Sequence, residues 1–517
     1  MTPHCKKYLP VFLLGFFSFF INYYYGFIGV MPMDNFVLYN GGYRVLNGYV
    51  PFTDYWLVTG PLLDYLNAFF FYVKGVSWST YIIHSSLFNS ILAIATFYLF
   101  TNLGLRKIFA FIYSAFVSIL FYPAVGTPFV DHHATFFLLI AFYFFIFWLN
   151  KKNFYYILFI PLLFCLAFLS KQTPTAYGII AFCSVILTYV FLNKEKNLKI
   201  ITFFGLGSII SIIFLILFFY FTKIKIINFY DQYILFASSI GEFRFINYRF
   251  KIIDNILEFK FIFILVVTIV IIFIKMIKDK TSNLNNIFII VSAITITSVL
   301  VFHQYYTLNQ NYIFFLIPLL TGIFHAFYSR FFKQKFLLIF IISLCIFATV
   351  KYHIRFNENR KFNELEKVNI GLAVDAAELT DDLKGLKWIT SGYPKNPKQE
   401  IQNLKEAMEI IAKEESNKAI ITDYQFIAPA LKIYDFSPNQ WHHPRVSFPI
   451  KDQKYHEKYK NFFIQNLKHN KIDFIYEIIE DNNTITESVI NKKCLIKKRI
   501  TKILLKFEIK KQCKDFQ

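Results

Sequence analysis

The chain has 517 residues, of which 56% are hydrophobic, 21% aromatic and only 17% charged, and its mean hydropathy is +0.45. A globular domain carries about 25% charged residues and short apolar runs, so this composition excludes an ordinary soluble enzyme and describes a chain that lies mostly in a membrane. The formal charge of +21 does not indicate a nucleic-acid surface: residues 1–351 hold 25 Lys and Arg against 10 Asp and Glu, residues 352–517 hold 29 against 23, and short basic clusters between apolar runs mark loops retained in the cytoplasm.

Lys6 and Lys7 precede an apolar run from Tyr8 to Val30, longer than a signal-peptide core and without a small-residue cleavage site, which predicts a retained first span. Further apolar segments fall near 80–104, 108–124, 135–149, 154–170, 174–193, 200–222, 257–277, 287–303, 312–329 and 336–351. About eleven spans follow, of which 135–149 is short for a bilayer. The basic clusters Lys6/Lys7, Arg106/Lys107, Lys151/Lys152, Lys194/Lys196/Lys199, Lys275/Lys278/Lys280 and Arg330/Lys333/Lys335 all fall on one side of that alternation. This predicts a cytoplasmic N-terminus and an extracytoplasmic tail. Enrichment in Asn, Lys, Ile and Phe fits an AT-rich bacterial genome, so the expected location is the bacterial inner (plasma) membrane with the C-terminal domain in the periplasm. The predicted architecture is an all-α polytopic bundle over 1–351, with outer juxtamembrane helices at about 31–78, followed by an α/β domain over 352–517.

Carboxylates are costly within a bundle and mark function there. Of the ten in residues 1–351, only Glu195 and Asp279 fall on the predicted inner side; longer outer loops are the plain alternative account. The first outer loop reads MPMDNFVLYNGGYRVLNGYVPFTDYWLVTGPLLDYLNAFFF, Met31 to Phe71. A short interfacial helix is expected up to Asn47, a break at Gly48 and Pro51, and a second helix opening at Gly60-Pro61.

Asp34, then GGYRVLNGYVPFTDYW and GPLLDYLNAFFF, resemble the first periplasmic loop of GT-C glycosyltransferases that use polyprenyl-phosphate sugars, such as protein O-mannosyltransferases and lipid A aminoarabinose transferases. The family often has Asp-Glu after the first span; here the pair is Asp34-Asn35, so the second acid is missing. The resemblance spans residues 1–351 and rests on loop pattern, span count and topology together. It implies transfer of a sugar, with inversion, from a polyprenyl-phosphate donor to a lipid, glycan or protein acceptor, with membrane lipids as the other partner and no nucleic acid.

Such a transfer needs a carboxylate to take the proton of the attacking hydroxyl, and by carry-over from the family position Asp34 is the candidate base; a helix N-cap is its ordinary alternative. Asp54 and Asp64 are candidates for shaping the loop or the acceptor site, against plain structural hydrogen bonding. The connector GTPFVDHHATFF resembles the family's second acidic site, which makes Asp131 a catalytic candidate for placing the acceptor. No cofactor is implied with certainty. Asp131, His132 and His133 are also candidate ligands, with water and Asp34, for a divalent metal ion, and because adjacent helical residues point apart a shared ion needs an irregular backbone there. The donor phosphate needs a cation or hydrogen-bond donors: Lys171 in LSKQTPTAYG is the first candidate, against a snorkelling lysine. Arg244 and Arg249 in GEFRFINYRFK follow, and then His303 and Tyr305 in FHQYYTLNQNY.

In the tail, GLKWIT, NKAIITDYQFIA and KIDFIYEII read as strands and NPKQEIQNLKEAMEIIAKEES as a helix. SPNQWHHPRVSFP is either surface packing or a loop facing a cavity, and Lys492 to Lys511 has the composition of a segment resting on anionic lipid. Of six cysteines, Cys494 and Cys513 are the only pair in the tail, and a bridge or two free thiols both remain open. Outside the transferase class, a lipid-linked glycan flippase would favour internal repeats with broken helices, and no two halves align. A scaffold leaves the acidic outer face unused, and a polysaccharide polymerase would differ in taking a diphosphate-linked oligosaccharide.

Overall fold

The computed structural model describes residues 3–193, 197–247, 256–279, 283–307, 312–332, 334–479, 484–510 and 513. Lys194, Glu195, Lys196, Lys280 and Lys333 lie outside the described residues. The chain folds into two compact units: the first comprises 1–26, 85–217 and 247–362, the second 27–84, 218–246 and 363–517. The division is therefore not the linear one at residue 351. The loop after the first span and the segment 218–246 belong to the same unit as the tail.

In the first unit, helices dominate. Among the described residues, ten helices are long and apolar enough to cross a membrane, and an eleventh apolar helix, Tyr155–Ser170, is shorter than that limit. These eleven correspond to the eleven apolar segments in the sequence. Val130–Lys151 has 22 residues and sits almost wholly buried at the centre, so the segment expected at 135–149 is a full-length helix that starts earlier. Leu198–Thr222 is mostly exposed and presents Ile209, Ile213 and Ile216 outward, an apolar surface that water would not tolerate and lipid solvates.

The ends of several of these helices meet through polar side chains. At one end Asn150 meets Asn102 (2.7 Å), Lys152 meets Asn285 (3.1 Å) and Arg330 reaches the carbonyl of Leu103 (3.0 Å). Between helices, Asn22 donates to Ser85 and Ser86 (2.9 and 3.0 Å), and Asn89 to the carbonyls of Ser18 and Ser118 (2.8 and 3.1 Å); amides of this kind hold apolar helices in register.

The first helix ends at Tyr25, before the expected Val30. The reason is backbone pairing in the second unit: Lys387 N–H donates to Phe27, Gly29 N–H to Lys387 and Val30 N–H to Ile389. The following loop forms helices Pro32–Asn35, Val37–Leu46 and Leu62–Lys74, close to the two expected. Gly41 and Gly42 allow the close crossing of the last two: a methyl on Gly41 would lie 2.2 Å from Asp64 Oδ1, and one on Gly42 2.5 Å from Asn67 Cβ.

The tail contributes strands β1 (Val374–Asp375), β2 (Lys387–Trp388), β3 (Lys418–Ile421), β4 (Phe474–Ile478), β5 (Leu495–Arg499) and β6 (Leu504–Ile509). β1 and β2 form a two-residue antiparallel ribbon, and the other four a sheet of order β3-β4-β6-β5 in which only β3 and β4 are parallel. Pro397–Ala412 is capped by the Asn396 side chain with Pro at its first turn, as its NPKQE opening dictates. Helix His456–His469 buries Tyr459, Phe463 and Leu467 against Ile475, Leu505 and Phe507 of the sheet. The segment expected to rest on lipid is instead β5 and β6: Leu504, Leu505, Phe507 and Ile509 are buried in the domain core, so its interleaved apolar residues serve a sheet. Cys494 and Cys513 form a disulfide.

Candidate functional site

Three of the residues singled out in the sequence converge in the first unit. Asp131 stands in the first turn of Val130–Lys151, Lys171 is the extended residue between Tyr155–Ser170 and Gln172–Leu192, and His303 lies in the last turns of Leu284–Thr307. Lys171 Nζ is 2.6 Å from Asp131 Oδ2, and His303 Nε2 is 2.7 Å from Asp131 Oδ1. Asp131 and His303 are buried, whereas the Lys171 side chain is 16% exposed, which leaves its ammonium at the edge of the cluster. A carboxylate removed from water needs such partners. Because both Asp131 oxygens are engaged, its geometry suits holding Lys171 and His303 in place rather than taking a substrate proton.

His132 and His133 do not join this cluster as ligands. His133 Nδ1 is 2.8 Å from the Tyr122 hydroxyl, and the His132 ring packs against Tyr312 and Phe121 at 4.6 and 5.1 Å. Among the described residues, no group of three or more His, Cys, Asp and Glu is placed to hold a metal ion. Tyr305 packs on Phe259 at 5.2 Å and is half-buried. Arg249 lies outside the described residues.

In the second unit, Asp34 occupies the short helix Pro32–Asn35 and is half-buried. It is not the N-cap of the next helix, whose cap position is Phe36; it is Asn35 that turns back to accept the Met31 N–H at 2.8 Å. Beside it, the Trp441 indole donates to the Met33 carbonyl at 2.9 Å, so the SPNQWHHPRVSFP segment touches the candidate base's own turn. Within that segment His442 is buried, while His443 and Arg445 are exposed; burial pushes His442 down to about 3, which keeps its ring neutral.

Asp54 accepts the Val50 N–H at 2.7 Å, which closes its turn, and it also lines a cleft described below. Asp64 is fully buried and accepts from Tyr55 Oη at 2.8 Å and Gln440 Nε2 at 2.9 Å. Burial, opposed by these hydrogen bonds and by Arg44, raises its carboxyl to about 7. Arg244 lies in helix Ala237–Asn247 and is half-buried.

Sequence reasoning missed Arg44. Its guanidinium is buried, grips Asp435 Oδ2 through Nε and Nη2 at 2.9 and 2.5 Å, and donates to the carbonyls of Asn439 and Ser437 at 3.0 and 3.2 Å, with Tyr55 beneath it at 4.9 Å. The one usable signal was an arginine inside an apolar loop helix, since buried arginines need carboxylate partners.

A scan against protein-family models matches none of them, and a search of curated proteins finds no match for the chain.

Proposed function

We propose that the chain is a polytopic membrane glycosyltransferase of GT-C type, which moves a sugar from a polyprenyl-phosphate carrier to a hydroxyl of a glycan, lipid or protein on the extracytoplasmic face. The observation that carries the reading is the Lys171–Asp131 pair: an ammonium fixed at 2.6 Å by a buried carboxylate, partly exposed, at the helix ends where the basic-cluster rule puts the outer side. Asp131 occupies one donor of the ammonium and leaves others to meet phosphate oxygens. The Cys494–Cys513 disulfide fits an oxidising compartment for the tail.

In this reading the acceptor oxygen bonds the anomeric carbon as the carbon–oxygen bond to phosphate breaks, and the bonding pair leaves with the phosphate. A carboxylate takes the acceptor proton; Lys171 offsets the charge that grows on the leaving phosphate; Asp131, itself held by His303, fixes Lys171. The test is transfer from a panel of radiolabelled polyprenyl-monophosphate sugars to membrane acceptors by the purified protein and by Lys171→Met, compared at equal folded yield. Transfer by wild type with loss of at least a hundredfold in Lys171→Met supports the reading. Inert donors throughout, with lipid-linked glycan crossing vesicles that hold the protein, would replace it with a transporter.

A further inference from the structure

The second unit contains a cleft of about 600 Å³, within the roughly 300–1,000 Å³ range of small-ligand sites. One wall is the helix His456–His469. Lys458, Asn461, Phe462, Gln465, Asn466 and His469 all line the cleft, and their spacing of three and four residues puts them on one helical stripe. The opposite stripe, Tyr459, Phe463 and Leu467, is the part that enters the core. The helix thus buries one face and turns to the cleft a mostly polar face, whose one phenyl ring, Phe462, is half-buried and packs on Trp56 at 5.6 Å.

The facing wall comes from Asp54 and from the segment 225–232, whose Asp231 and Gln232 sit on a π-helical stretch, Tyr230–Phe236, a geometry frequent at functional sites. Two interactions fix that wall. Lys458 Nζ pairs with Asp231 Oδ2 at 2.5 Å, and the side chains of Asn228 and Gln232 both donate to the Phe52 carbonyl, at 3.0 and 2.9 Å. Trp56, which also lines the cleft, is 2% exposed, and its indole N–H has no hydrogen-bond partner among the described residues, a state that asks for an explanation in a buried donor.

The chemistry of the lining selects a ligand class. The primary amides of Asn461 and Gln465 each present a donor and an acceptor side by side, which matches vicinal hydroxyls, and the Phe462 ring adds apolar surface for the C–H face of a pyranose. Charge is balanced, since Asp54 and Asp231 stand with Lys225 and Lys458, so the cleft does not favour a phosphate or a polyanion. We propose that this cleft binds a neutral oligosaccharide, the acceptor of the transfer; the acceptor role rests on the function proposed above, while saccharide binding does not.

The test measures binding separately from transfer. Full-length protein in nanodiscs is titrated, without donor, with neutral hexose and N-acetylhexosamine oligosaccharides and with uronic-acid oligosaccharides of equal length. The expected result is saturable binding of a neutral series that weakens at least tenfold in Asn461→Ala/Gln465→Ala and at least as much in Asn461→Trp, whose indole obstructs the cleft beside Phe462, with thermal unfolding of both variants unchanged. Binding of this pattern with every polyprenyl donor inert would keep the cleft and remove the glycosyltransferase. Transfer from a polyprenyl donor with no neutral glycan bound, or with the uronic-acid series preferred, or with binding undiminished in both variants, would overturn the cleft assignment.

Discussion

Asp131 holds Lys171 Nζ at 2.6 Å through one carboxylate oxygen and His303 Nε2 at 2.7 Å through the other, so a single buried acid ties together three helix ends. Removing one member of a buried ion pair leaves an uncompensated charge, which costs about 3–5 kcal/mol. Asp131→Asn and Lys171→Met are each expected to lower unfolding stability in detergent by that order, and Asp131→Asn/Lys171→Met by clearly less than their sum. A strictly additive double-mutant cycle would show that the pair contributes nothing as a pair.

The crossing of Val37–Leu46 over Leu62–Lys74 depends on the absence of a side chain at Gly41. A methyl there would fall 2.2 Å from Asp64 Oδ1 and 2.5 Å from Gln440 Nε2, and both atoms belong to a buried hydrogen-bonded cluster with no room to retreat. Gly41→Ala is therefore expected to destabilise by about 1–3 kcal/mol although alanine is the better helix former, while Gly48→Ala tests the other case. Gly48 has open space but φ +87, so its cost comes from backbone strain alone. Chemical denaturation of the two variants separates these causes; a neutral Gly41→Ala would mean that the helices part without cost.

The spans were legible because a run of apolar residues long enough for a bilayer has few other uses, and the Asp131–Lys171–His303 cluster was partly legible because the alternation of basic clusters sends those three positions to one side. The Arg44–Asp435 pair was not: its members stand 391 residues apart, and nothing local to either marks the other. β5 and β6 escaped for a different reason. KILLKFEIK alternates as a half-buried strand does, yet its lysines pointed to a lipid surface. The short reach of the first helix, ending at Tyr25, was hidden because Phe27–Val30 is apolar for pairing with 387–389 rather than for contact with lipid.

The Cys494–Cys513 disulfide, with a sequence separation of 19, should stabilise the tail by about 3 kcal/mol through loop closure. In unreduced spheroplasts both cysteines are expected to resist a membrane-impermeant maleimide. In Cys494→Ser, Cys513 is expected to react with that reagent from outside. Reaction only after lysis would put the tail on the cytoplasmic side and reverse the orientation read from the basic clusters.

Asp64 makes the clearest pH signature. Its carboxyl is raised to about 7 chiefly by burial, with the hydrogen bonds from Tyr55 and Gln440 opposing, whereas an unfolded chain releases that proton near pH 4. The folded state therefore binds the proton more tightly. The contribution of this group is fully present below about pH 4, declines as pH rises, and is lost by the time pH has passed through 7, a change on the order of 4 kcal/mol. Asp423, raised to about 6 by burial, adds a slope of the same sign, so only a difference between proteins isolates Asp64. Asp64→Asn keeps a side-chain oxygen for Tyr55 and removes the titration. Unfolding free energy measured from pH 4 to 8 is expected to fall less steeply in Asp64→Asn than in wild type, with the two curves diverging across this window and running parallel above it. Parallel curves throughout would mean that Asp64 is ionised in the folded protein and that Tyr55, Gln440 and Arg44 together outweigh its burial.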